Sequence, residues 1–555
     1  MATFIKVFVI LFFFSSCTRA KIIFVDASCK KRSSTGQSWG DAYKSLQFAL
    51  DHSYQGDQIW VKAGTYLPEK KYRGSNDRCK AFALKNGVAI YGGFKGNERK
   101  LKQRRWKTHI SVLSGDLNLN CITDDNDVFH VIFIPANNNL NNTVILDGFR
   151  ITGGNANSLS GEHSSYGGGI YNEKSSPSIC NCTFVKNSAI FGGAMYNLNS
   201  AITLSGCTFE DNIALSPKGT GGGAIYNKDA AMSNIIDCSF SGNSAFNGGA
   251  IYNFYSENIT IQNCLFADNN SISSGGAVYS SNTSIQINES IFSENSTVSC
   301  GGALSNFKTR AGINACRFLN NTSMGSQSES SHGGAIFNEE SFVDIKGCLF
   351  ISNIASRYSY GAGGAIRELN SSTQLEDCIL KYNLSKNDGG AIFSENGKLS
   401  LSDCFIACNF AKAADGGAIL IRNKQVVIST NCIFAGNAAA SEGGAFFICG
   451  QSKLNILKST FAANCAKFGG GAVSTHQGSN TEITKSIIWG NKADRGYQII
   501  VADANCSVGY SDVQGGWPGS GNYDIAPTFA KTPKSPNCLM QTEEYDRGDF
   551  LLAQP

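Results

Sequence analysis

A short motif that recurs twelve times is the feature of this 555-residue sequence that most restricts its fold. The first copy reads CTFVKN at residues 182–187, and its final asparagine is present in every copy. The first position is Cys nine times and Ser three times, and the third position is Phe nine times. The asparagines, which follow one another at similar intervals, are Asn187, Asn212, Asn243, Asn269, Asn295, Asn321, Asn353, Asn383, Asn409, Asn437, Asn464 and Asn491. Such a period indicates stacked supersecondary units.

A second motif, Gly-Gly-Ala, alternates with the first and occurs eleven times. Leucine-rich repeats of similar length would show Leu at fixed positions, and helical repeats would show helical periodicity, but neither pattern is present. The remaining segments are short, rich in β-forming residues and bounded by Gly, Asn or Ser. The pattern therefore predicts an all-β fold in which coils of parallel strands stack as a β-solenoid.

The repeated residues have structural roles in such a stack, where equivalent positions lie about 4.8 Å apart. We expect Phe to fill the interior, Asn side-chain amides to form a hydrogen-bonded ladder, and Gly-Gly to form a corner where a Cβ would clash. Asn also tolerates the left-handed backbone that a sharp corner needs. Strand alternation predicts that Cys and Phe of one motif share a face, and likewise Ala250 and Tyr252. We expect the stacked cysteines to be buried free thiols.

The N-terminus resembles an export signal. Val7 to Phe14 is an unbroken apolar run, too short to span a bilayer. Cleavage after Ala20 and acylation of Cys17 as a lipoprotein are the two alternatives for processing. We divide the chain into a signal at 1–20, an N-terminal cap with the first coils at 21–140, the β-helix repeats at 141–515 and a C-terminal cap or tail at 516–555. Within the cap, the spacing of Ala42, Leu46, Ala49 and Leu50 predicts a short helix over 41–52.

Charge and motif content exclude several classes of function. The net charge is +4, from 47 Lys plus Arg against 43 Asp plus Glu, which is too balanced for a nucleic-acid protein with a concentrated basic face. The six histidines show no HxxxH or HxH pair, so we expect no metal site of that type. The Gly-rich segments lack the GxxxxGK(S/T) phosphate loop. We interpret the basic run 99–107 as a solvated loop, with contact to an anionic glycan as the alternative.

Alternating FxxN and GGA(I/L/V) tetrapeptides resemble those of the chlamydial polymorphic outer membrane proteins. Segments at 24–26, 36–50, 57–66, 91–94, 113–116 and 510–522 resemble a wider set of bacterial β-helix surface proteins. The resemblance implies a right-handed parallel β-helix of the pectin lyase-like kind, secreted or displayed on a bacterial outer surface, often as an adhesin. The chlamydial proteins are autotransporters that end in a β-barrel, whereas the segment 492–555 that follows the last repeat here is shorter than a small barrel needs. Self-translocation is therefore not expected.

Three consecutive repeats place an acid directly before the Gly-Gly pair: Asp388, Asp415 and Glu442, which are evenly spaced in the chain. Ala362 and Gly469 hold the equivalent positions in the flanking repeats, so the acidic group is bounded. Carboxylates stacked about 4.8 Å apart repel one another unless a cation bridges them. Ca²⁺ is the cation that such oxygen ligands suit. We interpret the group as a solvated acidic stripe; the alternative is a Ca²⁺-assisted polysaccharide lyase or hydrolase with these three residues as catalytic candidates.

The sequence as a whole favours an exported, surface-associated β-helix that acts as an adhesin or passenger-like scaffold and needs no cofactor. A carbohydrate-active enzyme and a purely structural envelope component are the alternatives. The expected partner is a host or matrix protein or a glycan, with membrane contact only through a lipid on Cys17. Specificity is expected in the longest insertions, at 212–222, 321–333 and 353–363, because insertions in solenoids fall on loops.

Overall fold

The computed structural model describes residues 20–31, 33–160, 163–217, 219–326, 329–356 and 358–529. In these residues the chain forms a parallel β-solenoid, and its longest sheet contains 17 strands. Each strand pairs in parallel with the equivalent strand of the next coil, as in Ile251–Phe254 with Val278–Ser281. The predicted fold class is confirmed. Cys17 and the rest of the signal segment up to residue 19 lie outside the described residues.

A complete coil contributes one strand to each of four sheets, which we number in the order in which the chain meets them after the Gly-Gly corner. Sheet 1 consists of Ile132–Ile134, Ile170–Glu173, Met195–Leu198, Ile225–Lys228, Ile251–Phe254, Val278–Ser281, Leu304–Phe307, Ile336–Glu339, Ile366–Leu369, Ile392–Glu395, Ile419–Arg422, Phe446–Ile448, Val473–His476 and Ile499–Ala502. Sheet 2 consists of Ile22–Val25, Gln58–Lys62, Ala89–Phe94, Ile145–Asp147, Ser178–Cys180, Thr203–Ser205, Asn234–Ile236, Ile259–Gln262, Ser284–Asn288, Arg310–Asn314, Phe342–Lys346, Ser372–Glu376, Lys398–Ser402, Val426–Thr430, Lys453–Leu457, Asn480–Thr484 and Asn505–Gly509.

Sheets 3 and 4 complete the coil. Sheet 3 carries the Cys-x-Phe motif and consists of Gly64–Tyr66, Ser111–Ser114, Phe149–Thr152, Thr183–Val185, Thr208–Glu210, Ser239–Ser241, Leu265–Ala267, Ile291–Ser293, Arg317–Leu319, Leu349–Ile351, Ile379–Lys381, Phe405–Ala407, Ile433–Ala435, Thr460–Ala462, Ile487–Trp489 and Asp512–Val513. Sheet 4 follows the ladder asparagine and consists of Asn155–Ala156, Ser188–Ala189, Ile213–Ala214, Ser244–Asn247, Asn270–Ser274, Ser296–Thr297, Thr322–Ser323, Ile354–Ala355, Leu384–Ser385, Phe410–Ala411, Ala438–Ala439 and Cys465–Ala466.

A short helix covers the N-terminal end of the solenoid, whereas residues 530–555 of the predicted C-terminal cap lie outside the described residues. At the N-terminal end, the α-helix Leu46–Asp51 is shorter than the predicted 41–52, because Ser45 caps it by accepting from the Phe48 backbone N–H. Its Leu46, Ala49 and Leu50 belong to the buried core. The described 3₁₀ turns are Trp39–Asp41, Asp77–Cys79, Leu101–Gln103 and Ala136–Asn138. In the described residues, no helix is long and apolar enough to cross a membrane.

The interior is made of stacked identical side chains. The rings of Phe184, Phe209 and Phe240 lie 4.7 Å apart and within 4° of parallel, and the stack continues through Phe350. The twelve predicted asparagines form the expected ladder, in which each Nδ2 donates to the next Oδ1 over 2.9 to 3.1 Å. Each Oδ1 from Asn212 to Asn491 also accepts the backbone N–H of the preceding ladder asparagine. The buried side-chain amides of the ladder are thus hydrogen-bonded from one coil to the next.

Two details of the coil differ from expectation. The ladder asparagines do not adopt the left-handed backbone conformation. The residue before each of them does, as at Glu294 (φ 57°), so the chain turns one residue earlier and the asparagine side chain is buried in the interior. Ala250 and Tyr252 do not share a face, because Ala250 belongs to the corner and alternation starts at Ile251. Tyr252 points to the outer face, where stacked tyrosines of neighbouring coils bury it.

Sheet 1 holds a second asparagine ladder, which the sequence argument did not identify. Its members are the last residue of the IYN-type triplet: Asn172, Asn197, Asn227, Asn253, Asn306 and Asn338. Asn197 Nδ2 donates to Asn227 Oδ1 over 2.9 Å, and Asn227 Nδ2 donates to Asn253 Oδ1 over 2.8 Å. Two amide ladders therefore run inside the solenoid.

The nine stacked cysteines of sheet 3 are free and buried. Cys316 Sγ, for example, lies 3.2 Å from the Asn314 carbonyl oxygen, and burial raises the pKa of the Cys182 thiol to about 12. We expect these nine thiols to resist a thiol reagent in the native protein and to react fully after unfolding in guanidinium, because all nine are buried and the reagent cannot reach them. Exposed Cys121 is the internal control and should react at once. Rung-to-rung disulfides, detected as lost thiol protons in the intact mass, would contradict this expectation.

Candidate functional site

The three candidate acids lie at the corner between sheets 4 and 1, one coil apart. The Gly389 backbone N–H donates to the Asp415 carbonyl over 3.0 Å, and the Gly416 N–H donates to the Glu442 carbonyl over 2.9 Å. Ala362 pairs with Asp388 on one side. Glu442 pairs with Gly469 on the other side. The structure therefore places the three predicted acids in adjacent coils, and the acidic group ends at Ala362 and Gly469, as the sequence spacing implied.

Each carboxylate of this acidic stripe already accepts hydrogen bonds. Tyr360 Oη donates to Asp388, and the Asp415 N–H lies 3.3 Å from Asp388 Oδ1. Asp415 Oδ1 in turn accepts the Glu442 N–H over 2.9 Å. Glu442 Oε2 lies 2.7 Å from both Ser474 Oγ and His476 Nε2. The acids are thus tied to one another and to neighbouring strands.

The electrostatics of the stripe centre on Asp415. Burial raises the pKa of the Asp415 carboxyl, and the neighbouring Asp388 and Glu442 charges raise it further. Lys386 lies close to Asp388 in the sequence, but its Nζ donates a hydrogen bond to the Tyr358 carbonyl oxygen over 2.9 Å. Among the described residues, no group of three or more His, Cys, Asp or Glu is placed to hold a metal ion. The stripe offers a proton-binding carboxyl but no assembled cation cage.

An ion-pair cluster on the outer face of sheet 1 was not predicted. The Glu395 carboxylate accepts a hydrogen bond from the buried Arg367 guanidinium, and its Oε2 lies 3.3 Å from an Arg422 guanidinium nitrogen. The two guanidinium groups lie over the Phe393 ring, at 4.0 and 4.8 Å from its centroid. These cations hold the pKa of the Glu395 carboxyl below its usual value, against the effect of its burial. Both guanidinium groups contact the single Glu395 carboxylate and the Phe393 ring, so we assign the cluster to stability.

Glu368 is a buried carboxyl that continues the second asparagine ladder. It is 1% exposed and accepts from Asn338 Nδ2 over 2.9 Å and from Thr373 Oγ1 over 2.6 Å. Burial raises the pKa of this carboxyl to about 7 from its ordinary value of 4.5. A raised pKa in the folded state stabilises the protein below pH 4.5, and this contribution is lost as the pH rises to about 7.

Glu368→Gln is therefore expected to stabilise the chain at pH 8, because a neutral amide replaces a buried carboxylate. The gain over the native chain should reach about 3 kcal/mol at pH 8 and vanish below pH 4.5, as 1.4 kcal/mol corresponds to one pKa unit. Chemical denaturation of both chains across this pH range measures the difference. Glu340→Gln, at an exposed position, is the matched control. A gain that does not change with pH would contradict the assignment.

The basic run 99–107 forms part of the N-terminal cap. Arg104 donates to the Asp147 carboxylate over 2.5 Å and to the Gly92 carbonyl over 3.2 Å. Its guanidinium lies 4.9 Å from the Trp106 ring centroid. Trp106 is half-buried, and its backbone lies where a Cβ on Gly93 would be. Arg104 and Trp106 are therefore packed, whereas the other basic side chains of the run, Arg99, Lys100, Lys102, Arg105 and Lys107, are exposed.

A sequence profile of the Chlamydia polymorphic membrane protein repeat matches residues 206–228 and 237–253. Both segments span corners and strands of consecutive coils. A search among curated proteins found no significant match.

Among solved structures, the chain is similar to PfbA, a surface adhesin of Streptococcus pneumoniae, with 13% identity and a TM-score of 0.33 over 91% of each chain. It is also similar to the A-module of the Azotobacter vinelandii mannuronan C-5 epimerase AlgE4, with 11% identity and a TM-score of 0.27 over 86% of this chain and 100% of that one. A tailspike protein of E. coli bacteriophage HK620 is similar with 12% identity and a TM-score of 0.32, over 83% of this chain and 74% of that one. At these TM-scores the three structures carry no inference about function. The profile match at residues 206–228 and 237–253 lies on consecutive coils, so this part of the β-solenoid is similar to repeats of the polymorphic membrane protein type.

Proposed function

We propose that this chain is an exported protein displayed at a bacterial surface, where it acts as an adhesin or passenger-like scaffold without catalysis. The repeat type supports surface display. The 17 strands of sheet 2 would extend about 75 Å at about 4.8 Å per coil. Such a rod, with its interior amides and rings stacked, holds its outer side chains in a fixed and repeated order.

The observation that carries the proposal is the joint structure of two insertions. Ser331–His332 and Gly361–Ala362 pair as a two-stranded sheet at the corner between sheets 4 and 1. The Ser331 N–H donates to the Tyr360 carbonyl over 2.9 Å, and Ser359 Oγ donates to the Glu329 carbonyl over 2.7 Å. The described parts of the two insertions thus contact each other, and they carry exposed side chains such as Tyr358 that can meet a partner.

A Ca²⁺-assisted polysaccharide lyase or hydrolase is the second candidate, and the raised pKa of Asp415 is the observation in its favour. Such an enzyme needs carboxylates free to act as acid and base. Here Tyr360 donates a hydrogen bond to Asp388, and Glu442 Oε2 lies 2.7 Å from Ser474 Oγ and His476 Nε2. Asp415 Oδ1 accepts the Glu442 backbone N–H. We therefore rank binding above catalysis, and a purely structural envelope role below both, since that role would not require contacts between two insertions.

Adhesion of beads coated with the 21–555 chain to epithelial cells and to matrix-coated wells tests the proposal. In the test variant, residues 324–332 and 356–362 are each replaced by the shorter connection Lys386-Asn387-Asp388 of the next coil. We expect adhesion to fall at least about tenfold, as is usual when the central contacts of an interface are removed. Ile433→Ala, at an exposed position of sheet 3, is the matched control. Unchanged adhesion of the trimmed chain, with its fold verified by circular dichroism, would overturn the proposal.

A further inference from the structure

An open trough lies on the outer face of sheet 2, with a volume of about 270 Å³. Its lining comes from neighbouring coils: Arg310, Phe342, Val343, Asp344, Ser372, Thr373, Gln374, Lys398 and Ser400. Val343 and Thr373 are buried, whereas the other lining side chains point outward and form two columns, because the strands are in register. The first column reads Arg310, Phe342, Ser372, Lys398, and the second reads Gly312, Asp344, Gln374, Ser400.

The shape of the trough follows from side-chain size. Ser372 and Ser400 are short and form the floor, and Gly312 adds no side chain at one end. The Phe342 ring stands above the floor and is 68% exposed. Its neighbours in the first column are polar, so the ring does not belong to an apolar patch. A rigid strand therefore presents one flat aromatic surface beside hydrogen-bonding groups.

The charges of the trough are arranged around that ring. Arg310 and Lys398 lie at the two ends of the first column, three coils apart, which is about 14 Å. Within the described part of the chain, neither forms an ion pair, whereas Lys346 on the same sheet lies 2.8 Å from Glu376. Asp344 and Gln374 supply acceptors and donors in the second column.

We propose that this trough binds a short, carboxylate-bearing oligosaccharide of the uronic-acid class. The proposal rests on the proposed function as a surface-binding protein and gives that function a ligand class. Guanidinium and ammonium groups recognise carboxylates. The Phe342 ring matches the apolar face of a pyranose ring, and the Asp344 carboxylate accepts sugar hydroxyls. A polyphosphate chain fits less well, because it offers neither an apolar ring face to Phe342 nor hydroxyl donors to the Asp344 carboxylate.

Calorimetric titration of the full 21–555 chain with oligogalacturonate, and with a neutral galactose oligomer of equal length, tests the site. We expect the acidic oligomer alone to bind. Phe342→Ala should weaken its binding at least about tenfold, since the exposed ring supplies the stacking surface. Arg310→Gln and Lys398→Gln should each weaken it and reduce its salt dependence.

Two controls on the same sheet lie outside the trough. Ile428→Ala alters an exposed apolar residue, and Lys453→Gln alters a cation of the first column, two coils beyond Lys398. Both should bind like the native chain. Equal binding by every variant, equal binding of the neutral oligomer, or no binding of the acidic one would overturn the site. If Phe342→Ala lost the sugar but kept cell adhesion, the trough would stand apart from the adhesive surface; if the native chain bound sugar but no surface, the adhesin proposal alone would fail.

Discussion

Asn295→Ala is expected to destabilise the solenoid by about 3 to 5 kcal/mol, because it leaves several buried polar groups unpaired at once. Asn295 is fully buried, and its Nδ2 donates to the Phe266 carbonyl and to Asn321 Oδ1, each over 3.0 Å. Its Oδ1 accepts the backbone N–H and the Nδ2 of Asn269 over 3.1 and 3.0 Å. Alanine removes all four bonds and opens a cavity. Denaturant unfolding monitored by circular dichroism measures the loss.

Asn455→Ala is the matched control for this change, because Asn455 lies on the exposed face of sheet 2. Surface substitutions of this kind alter stability by about 0.5 kcal/mol at most. If Asn295→Ala were as mild as Asn455→Ala, the ladder would contribute little, and the constant register of the coils would need another cause. Unfolding of a repeat array need not be two-state, so the midpoint shift is the quantity to compare.

Gly302→Ala is expected to cost at least about 3 kcal/mol and to lower the soluble yield, because its Cβ would meet backbone rather than a side chain that can move. The new Cβ would lie 2.0 Å from the Gly334 carbonyl oxygen and 2.7 Å from the Thr322 nitrogen. Relief would require two coils to move apart, which breaks the hydrogen bonds between them. Thermal unfolding of the purified variant measures the effect.

Gly347→Ala is the control for this change, because it introduces backbone strain without a clash between coils. Gly347 has a positive φ of 61°, but a Cβ there would meet nothing within 4 Å. The cost should therefore stay near about 1 kcal/mol, the usual penalty for a left-handed non-glycine residue. Equal effects of the two substitutions would show that close approach of the coils does not constrain Gly302.

Much of the fold could be predicted because its physical cause is repeated. Each coil needs the same Phe inside, the same Asn at the ladder and the same Gly pair at the corner, so these residues recur once per coil along the sequence. Two features were missed because strand alternation was counted from the wrong residue. Counting from Ile251 instead of Ala250 would have placed Tyr252 outside and Asn253 inside, and thereby predicted the second ladder.

The candidate sites were only partly predictable. Spacing alone placed Asp388, Asp415 and Glu442 in adjacent coils. It could not show that Tyr360 donates to Asp388 or that Ser474 contacts Glu442, since these partners are 28 and 32 residues away in sequence and carry no motif of their own. The trough was missed for a related reason. Its column of Arg310, Phe342, Ser372 and Lys398 is recognisable only after the coils have been aligned strand by strand.

We propose that this solenoid binds its ligand without cleaving it. Incubation of the 21–555 chain with a glycan panel and Ca²⁺, followed by mass spectrometry of retained and released sugar, tests this most directly. We expect every sugar to stay intact, and we expect acidic oligosaccharides to be retained by the native chain but not by Phe342→Ala. Shortened products that disappear in Asp415→Ala would contradict it and would make the acidic stripe a catalytic site.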